Sequence, residues 1–225
     1  MNLLAKPHNP WNNIGTQPPF VLEEDRPYIE AFNSIHGHNH DRRINLDHTP
    51  VPREGPITAP VVLLLLNPSY DKAMPYYHQS QQIISRELES IKDEHSPHLG
   101  VRTNNPWWIQ RLKELINEPS IGSERLSRNI CSIEFFPYRA LKFSHGAIRL
   151  PSQNYTFALV RKHLARDALF VIARGYGLWV SAVPELTPQL NRSVFLTNSK
   201  RNITISRRNL SHGVFEKICK RLCFV

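Results

Sequence analysis

Two apolar runs in this sequence each end in a cluster of polar residues. The run at 61–66 is followed by NPSYD, and the run at 194–196 is followed by TNSKR. Each cluster contains an asparagine, Asn67 in the first and Asn198 in the second. An asparagine amide is neutral near pH 7 and cannot act as a general base, but it can hold a water molecule through hydrogen bonds. Asp71 is the candidate for a true general base, although a solvated carboxylate in a turn explains it equally well.

The elements that must position these clusters are predicted from apolar periodicity. Four buried strands are predicted at 61–66, 129–138, 168–175 and 193–198, and four longer helices at 79–92, 104–116, 152–166 and 211–222. This alternation predicts an α/β fold, a three-layer α/β/α sandwich with a central four-stranded parallel sheet. Because ligands of such sheets bind beyond the carboxyl ends of the strands, Asn67 and Asn198 are expected at one edge. A turn would explain NPSY alone, but two similar strand ends favour a site.

The first 59 residues have a different composition from the rest of the chain. They are rich in Pro, Asn and His and poor in apolar periodicity. Residues 1–59 are therefore predicted to be an irregular arm packed on the core, with Trp11, Phe20 and Tyr28 as anchors, and residues 60–225 to be the folded domain. Histidines alternate at 36, 38 and 40, which would suit a metal site on a strand, but the proline-rich flanks favour a solvated loop. We expect no metal and no other cofactor.

The charge and cysteine content restrict the partners and the compartment. The formal net charge is +9 over 225 residues, which favours a polyanionic partner, nucleic acid before an anionic membrane surface, although a solvated basic surface is the alternative. The three cysteines, at 131, 219 and 223, form no disulfide or zinc pattern. The N-terminus lacks the pattern of a signal peptide, and the apolar runs are too short to span a bilayer. We therefore expect a monomeric, cytoplasmic protein without membrane contact.

The two polar clusters resemble motifs of a known family. The segment LLNPSY at 65–70 resembles the first motif of the uracil-DNA glycosylase superfamily, and is closest to the mismatch-specific uracil/thymine branch, whose motif has the form I-N-P-G. The segment TNSKRN at 197–202 resembles a degenerate second motif, which in that family begins N-P-S. The resemblance covers roughly residues 60–222 and implies a glycosylase-like domain at 60–225. It implies that Asn67 positions the attacking water.

The resemblance also implies roles for residues around Asn67. The second motif contacts the base and the minor groove, and an aromatic ring stacks on the extruded base. The candidates for contact with the base are the remaining first-motif residues, two further aromatic residues and the start of the second motif, namely Pro68, Ser69, Tyr70, Tyr77, Phe136, Asn198 and Ser199. The sequence departs from the family at two of these positions, because Ser69 replaces the first-motif glycine and Ser199 replaces the second-motif proline. The Asp and His of the fastest family members have no match.

The segment 198–209 is the predicted DNA-contact loop. Its cations would bind phosphates while Ile203 or Ile205 enters the gap left by an extruded base. An ordinary exposed basic loop is the alternative. The predicted phosphate contacts are Lys200, Arg201, Arg207 and Arg208.

The function implied by the resemblance is that of a DNA glycosylase. Such an enzyme would hydrolyse the N-glycosidic bond of a flipped modified or mismatched pyrimidine in double- or single-stranded DNA, and hypermodified phage bases, with a role in phage defence, are among the candidates. A catalytically silent DNA-binding module of the same fold is the alternative. The departures from both motifs favour this module, whereas the retained Asn67 favours the glycosylase. A small-nucleotide hydrolase is a third hypothesis, which the lack of a metal-binding carboxylate cluster disfavours.

Overall fold

A computed structural model describes residues 8–36, 41–70, 80–199 and 202–223 of the chain. Its centre is a five-stranded sheet in the order β1-β3-β2-β4-β5. The strands in chain order are β1 (Arg53–Glu54), β2 (Val61–Leu65), β3 (Ile130–Glu134), β4 (Leu169–Ile172) and β5 (Val194–Leu196). Strands β2 to β5 are parallel, and β1 pairs antiparallel with β3.

Helices cover both faces of the sheet. In chain order they are α1 (Arg26–His36), α2 (Gln81–Lys92), α3 (Leu99–Arg102), α4 (Pro106–Ile116), α5 (Gly122–Asn129), α6 (Gln153–Ala165), α7 (Tyr176–Ala182) and α8 (Val214–Cys223). Short 3₁₀ helices lie at Pro10–Asn13 and Pro184–Gln189. The starts of α2 and α4 follow from capping, since the side chains of Ser80 and Asn105 accept hydrogen bonds from backbone N–H groups of their first turns.

Alternate residues of the strands bury two separate cores. On one face, Val62 and Leu64 of β2 pack with residues from α2, α6 and α7. On the other face, Leu63 and Leu65 pack with residues from α4, α5 and α8. All five residues of β2 are buried, as expected for a central parallel strand covered by helices on both sides. The two cores, one on each face of the sheet, confirm the predicted layered α/β architecture.

The sheet has five strands rather than the predicted four. The additional strand, β1, lies within the segment predicted to be an irregular arm, which also forms helix α1. Periodicity could not indicate β1, because it has only two residues and both are charged. Its side chains are held by polar contacts instead: the guanidinium group of Arg53 donates to the carbonyl oxygens of Gly55 and Asp93 at 2.6 Å each. Glu54 accepts hydrogen bonds from the Gly100 N–H and the Trp108 indole.

The described part of the N-terminal segment contributes to the same core as the sheet. Two of the three predicted anchors, Trp11 and Phe20, are fully buried there. The third, Tyr28, is wrong as an anchor, because its side chain is 48% exposed on α1. A buried carboxylate ties this segment to the folded domain: Asp25 accepts hydrogen bonds from the Tyr138 hydroxyl at 2.7 Å and from the Ser152 N–H at 3.0 Å.

Candidate functional site at the carboxyl edge of the sheet

The strand order creates a topological switch point between β2 and β4. From β2 the chain continues to β3 on one side, whereas from β4 it continues to β5 on the other side. In open parallel sheets, ligands bind in the crevice outside the carboxyl ends of the strands at such a point. Asn67 follows β2 at this position, and Tyr176, 39% exposed, follows β4.

The two strand ends that form the crevice are fixed against each other. The Trp179 indole of α7 donates to the Leu65 carbonyl oxygen at 2.8 Å. Gly175 has a φ of 71°, and a Cβ at this position would crowd the Leu66 side chain. The left-handed backbone conformation at this position favours glycine.

The side-chain amide of Asn67 has a defined orientation. Its nitrogen donates to the carbonyl oxygens of Pro68 and Ala140, each at 2.9 Å. Both partners are acceptors, so the group that faces them must be the NH₂. Within the described part of the chain, no donor contacts the Asn67 side-chain oxygen. The amide oxygen of the half-buried Asn67 is therefore an acceptor with a fixed position, because the NH₂ group of the same amide makes two hydrogen bonds.

A clamp around Arg139 holds the residues that follow Asn67. Arg139 donates to the Thr49 carbonyl oxygen at 2.8 Å and to the Ser69 carbonyl oxygen at 2.7 Å, and it pairs with Glu87 at 3.5 Å. The Thr49 hydroxyl donates to the second oxygen of Glu87. Pro68 is buried and Ser69 is exposed. The Ser69 backbone is therefore fixed, whereas its side chain faces outward.

Tyr70 lies next to a cavity of about 330 Å³. Its ring stacks on His48 with a centroid distance of 5.1 Å. Burial, and the nearby charge of Arg139, lower the pKa of His48 below its ordinary value, so this ring is neutral at pH 7. The cavity is lined mostly by residues that precede β1, namely Pro19, Asn33, Arg43, Ile44, Asn45, Leu46 and Asp47, together with Tyr70.

Glu134 is a buried carboxyl group at the end of β3, directly opposite Leu65 in the register. Its Oε2 atom has no hydrogen-bond partner among the described residues. Burial raises the pKa of Glu134 well above its ordinary value, the negative charge of Glu54 raises it further, and Arg139 and Arg174 lower it. The protonated form is therefore favoured. The sequence predicted a strand over 129–138, but a glutamate within it did not indicate that its side chain is buried.

Asn198 lies at the same edge as Asn67, beyond the end of β5, with β4 between the two strands. Asn198 is exposed, and its amide nitrogen donates to the Arg208 carbonyl oxygen at 3.3 Å. The N–H of Ser199 donates to the Asn209 side-chain oxygen at 3.0 Å. The same Asn209 amide donates to the carbonyl oxygens of Asn202 and Thr204, so one buried asparagine holds the loop closed.

The predicted isoleucine wedge is wrong. Ile203 is 5% exposed and Ile205 is fully buried, and both pack in the core that contains α4 and α8. The Ile205 N–H donates to the Arg111 carbonyl oxygen of α4 at 2.9 Å. The apolar residues of this loop anchor it to the protein. Neither isoleucine side chain is therefore at the surface, where it could enter the gap left by an extruded base.

The structure does not support two other predicted contacts. Arg207 pairs with three carboxylates, Glu114 at 3.7 Å, Glu118 at 2.8 Å and Glu216 at 3.2 Å, and it lies over the Phe215 ring. It links α4 to α8 rather than facing a phosphate. Phe136 is fully buried and its ring contacts His145, which leaves no face for an extruded base. Arg208 is exposed, as a phosphate contact requires.

Some predicted site residues lie outside the described part of the chain. These are Asp71, Tyr77, Lys200 and Arg201, as well as the histidines at 38 and 40. Among the residues that are described, no group of three His, Cys, Asp or Glu side chains is arranged to hold a metal ion. No helix in the described ranges is long and apolar enough to cross a membrane.

Comparisons with protein-family models, with curated proteins and with solved structures find no match for this chain. The geometry of the carboxyl edge therefore carries the functional argument.

Proposed function

We propose that this protein is a DNA N-glycosylase that uses the crevice at the end of β2. The observation that carries the proposal is the Asn67 amide, whose nitrogen is held by two carbonyl oxygens at the switch point of the sheet. A water molecule that donates a hydrogen bond to the opposite oxygen would be held at a fixed position. The resemblance of LLNPSY to the glycosylase first motif assigns the same role to this asparagine.

The reaction follows from this placement. The water oxygen bonds to C1′ of the sugar, the C1′–N bond breaks, and the nucleobase leaves with the bonding electrons. The proton that the water loses passes to the departing nucleobase, directly or through a general base. The products are a free base and an abasic site. Asn67 is neutral and cannot accept the proton. The reaction therefore depends either on a nucleobase that is a good leaving group or on Asp71 as the proton acceptor. A modified or mismatched pyrimidine, including a hypermodified phage base, is the proposed substrate.

Tyr70 is the aromatic side chain of the segment 65–70 on which an extruded base could stack. Tyr70 borders the 330 Å³ cavity and stacks on the neutral His48, which gives it a fixed orientation. Stacking on an aromatic ring and hydrogen bonds to base edges are how base-flipping enzymes hold their target. Tyr77 remains the second candidate.

The direct test is base release from defined oligonucleotides under single-turnover conditions. Substrates would carry uracil, mismatched thymine, hydroxymethylcytosine or its glucosylated form, and alkaline cleavage would report abasic sites. We expect release from at least one substrate and its loss in Asn67→Ala. Asn117→Ala is the matched control, because Asn117 is an exposed asparagine at the end of α4.

The alternative is a DNA-binding module without catalysis. Binding of these DNAs, with no base released from any of them, would favour that alternative. Asn67 would then be a structural residue, whose amide links the segment after β2 to the Ala140 carbonyl oxygen after β3.

A further inference from the structure

A second concave surface lies at the opposite end of the sheet from Asn67. This groove has a volume of about 630 Å³ and lies where α8 passes the amino ends of β4 and β5. Leu169 starts β4 and is level with Val61 of β2. Asn67 lies six residues beyond Val61, so the two sites are separated by roughly 20 Å along the strands. The groove, which we call the basal groove, is therefore distinct from the candidate active edge.

The basal groove is strongly basic. It is lined by Leu169, Gln189 and Ser193, by the cations Arg192, Lys217, Lys220 and Arg221, and by one carboxylate, Asp167. Asp167 pairs with Arg221 at 3.1 Å. The lining thus has four positive charges and one negative charge, a net of +3. This local excess contrasts with the environment of Arg207, where three carboxylates surround one cation.

The positions of these cations are set by the fold. Lys217 lies over the ring of Phe195, with its nitrogen 5.2 Å from the centroid. Arg192 lies in the turn before β5, next to Asn191, whose φ is 62°. Lys217, Lys220 and Arg221 lie on α8, where residues three and four apart share a face. Two elements, α8 and the turn before β5, therefore bring positive charge to one groove.

We propose that the basal groove binds the phosphodiester backbone of a nucleic acid strand. A row of cations in one groove suits a chain of phosphates, which supplies one negative charge per nucleotide and releases counterions on binding. The contact would be independent of base sequence, because contacts to phosphates carry no sequence information. It goes beyond the glycosylase proposal, since it requires nucleic-acid binding but no catalysis.

A nucleic acid fits the basal groove better than a membrane surface does. A bilayer is locally flat, whereas this surface is concave. Proteins that lie on membranes insert apolar side chains between their cations. The exposed large apolar residues of the described ranges are Tyr28, Ile35, Ile83, Trp107, Tyr176 and Leu196, and none of them lines the groove.

The test is the salt dependence of oligonucleotide binding by the full chain, measured by fluorescence anisotropy. The variant is Arg192→Gln with Lys220→Gln, because neither side chain makes an ion pair within the described residues. The matched control is Arg86→Gln with Lys113→Gln, which removes the same charge from exposed positions outside the groove. Thermal melting of both variants checks that each remains folded.

Each lost phosphate contact should reduce the slope of log affinity against log salt by about one unit. We expect a reduction of up to about two in the groove variant and little change in the control. An unchanged slope, or an equal change in both variants, would overturn the proposal, as would a wild-type chain that does not bind. Loss of binding to phosphatidylserine vesicles with oligonucleotide binding intact would assign the groove to a membrane instead. Base release and Asn67→Ala test the glycosylase proposal separately.

Discussion

The side chain of Ile205 provides a stability test of the loop that follows β5. It is fully buried among α4 and α8 residues, so truncation to alanine removes three carbon atoms from a packed core and leaves a cavity. Substitutions of this kind cost about 2–5 kcal/mol, and we expect about 3 kcal/mol for Ile205→Ala. In a chain of this length, each kcal/mol lowers the melting temperature by about 2–4 °C. The expected shift is therefore about 6–12 °C.

The assay is urea unfolding together with thermal melting. Ile35→Ala is the matched control, because Ile35 is 77% exposed on α1 and its truncation should change stability by less than about 0.5 kcal/mol. Ile205→Val should be intermediate, at about 1 kcal/mol. A side chain that instead served as a DNA wedge would give the opposite pattern. An Ile205→Ala variant with the wild-type midpoint and weakened DNA binding would refute the burial argument.

Two further predictions concern other buried polar groups. Glu134 keeps its proton in the folded state at pH values where the unfolded chain has lost it, so its contribution to stability is present below the unfolded pKa of about 4.3 and declines as pH rises. Glu134→Gln should remove this decline. The variant should be more stable than the wild type at neutral pH but not at pH 4. Melting temperatures with the same pH dependence in both proteins would contradict this prediction. Asn209→Ala should cost about 2 kcal/mol in urea unfolding, since one N–H and two carbonyl oxygens lose partners. A wild-type midpoint would show that Asn209 does not hold the loop.

The four parallel strands and the position of Asn67 could be predicted because both depend on local sequence. A long apolar run followed by polar residues indicates a buried strand and its end, without knowledge of the neighbouring strands. The strand β1 could not be predicted in this way, because a two-residue charged strand has no periodicity. It forms because β3 offers an edge and the distant Asp93 carbonyl oxygen accepts a hydrogen bond from Arg53.

The loop after β5 shows where local reasoning fails. Alternating isoleucines between cations have the composition of a DNA-contact loop, and also that of a loop anchored to a core. Long-range contacts decide between these interpretations: Arg207 pairs with Glu114 of α4, Glu118 just after α4 and Glu216 of α8. The composition of the loop did not indicate these partners. The same applies to Glu134, whose burial depends on neighbouring segments.

The most direct measurement is single-turnover base release by the wild type, Asn67→Ala and Asn67→Asp, with thermal melting of each. If Asn67 holds the attacking water, Asn67→Ala should lower the rate by about a hundredfold or more while the chain stays folded. Asn67→Asp should retain or increase release of a good leaving group, because a carboxylate can accept the proton from the water and stabilise positive charge on the sugar. An Asn67→Ala variant that releases base at the wild-type rate would contradict the catalytic role of Asn67, whatever its melting temperature.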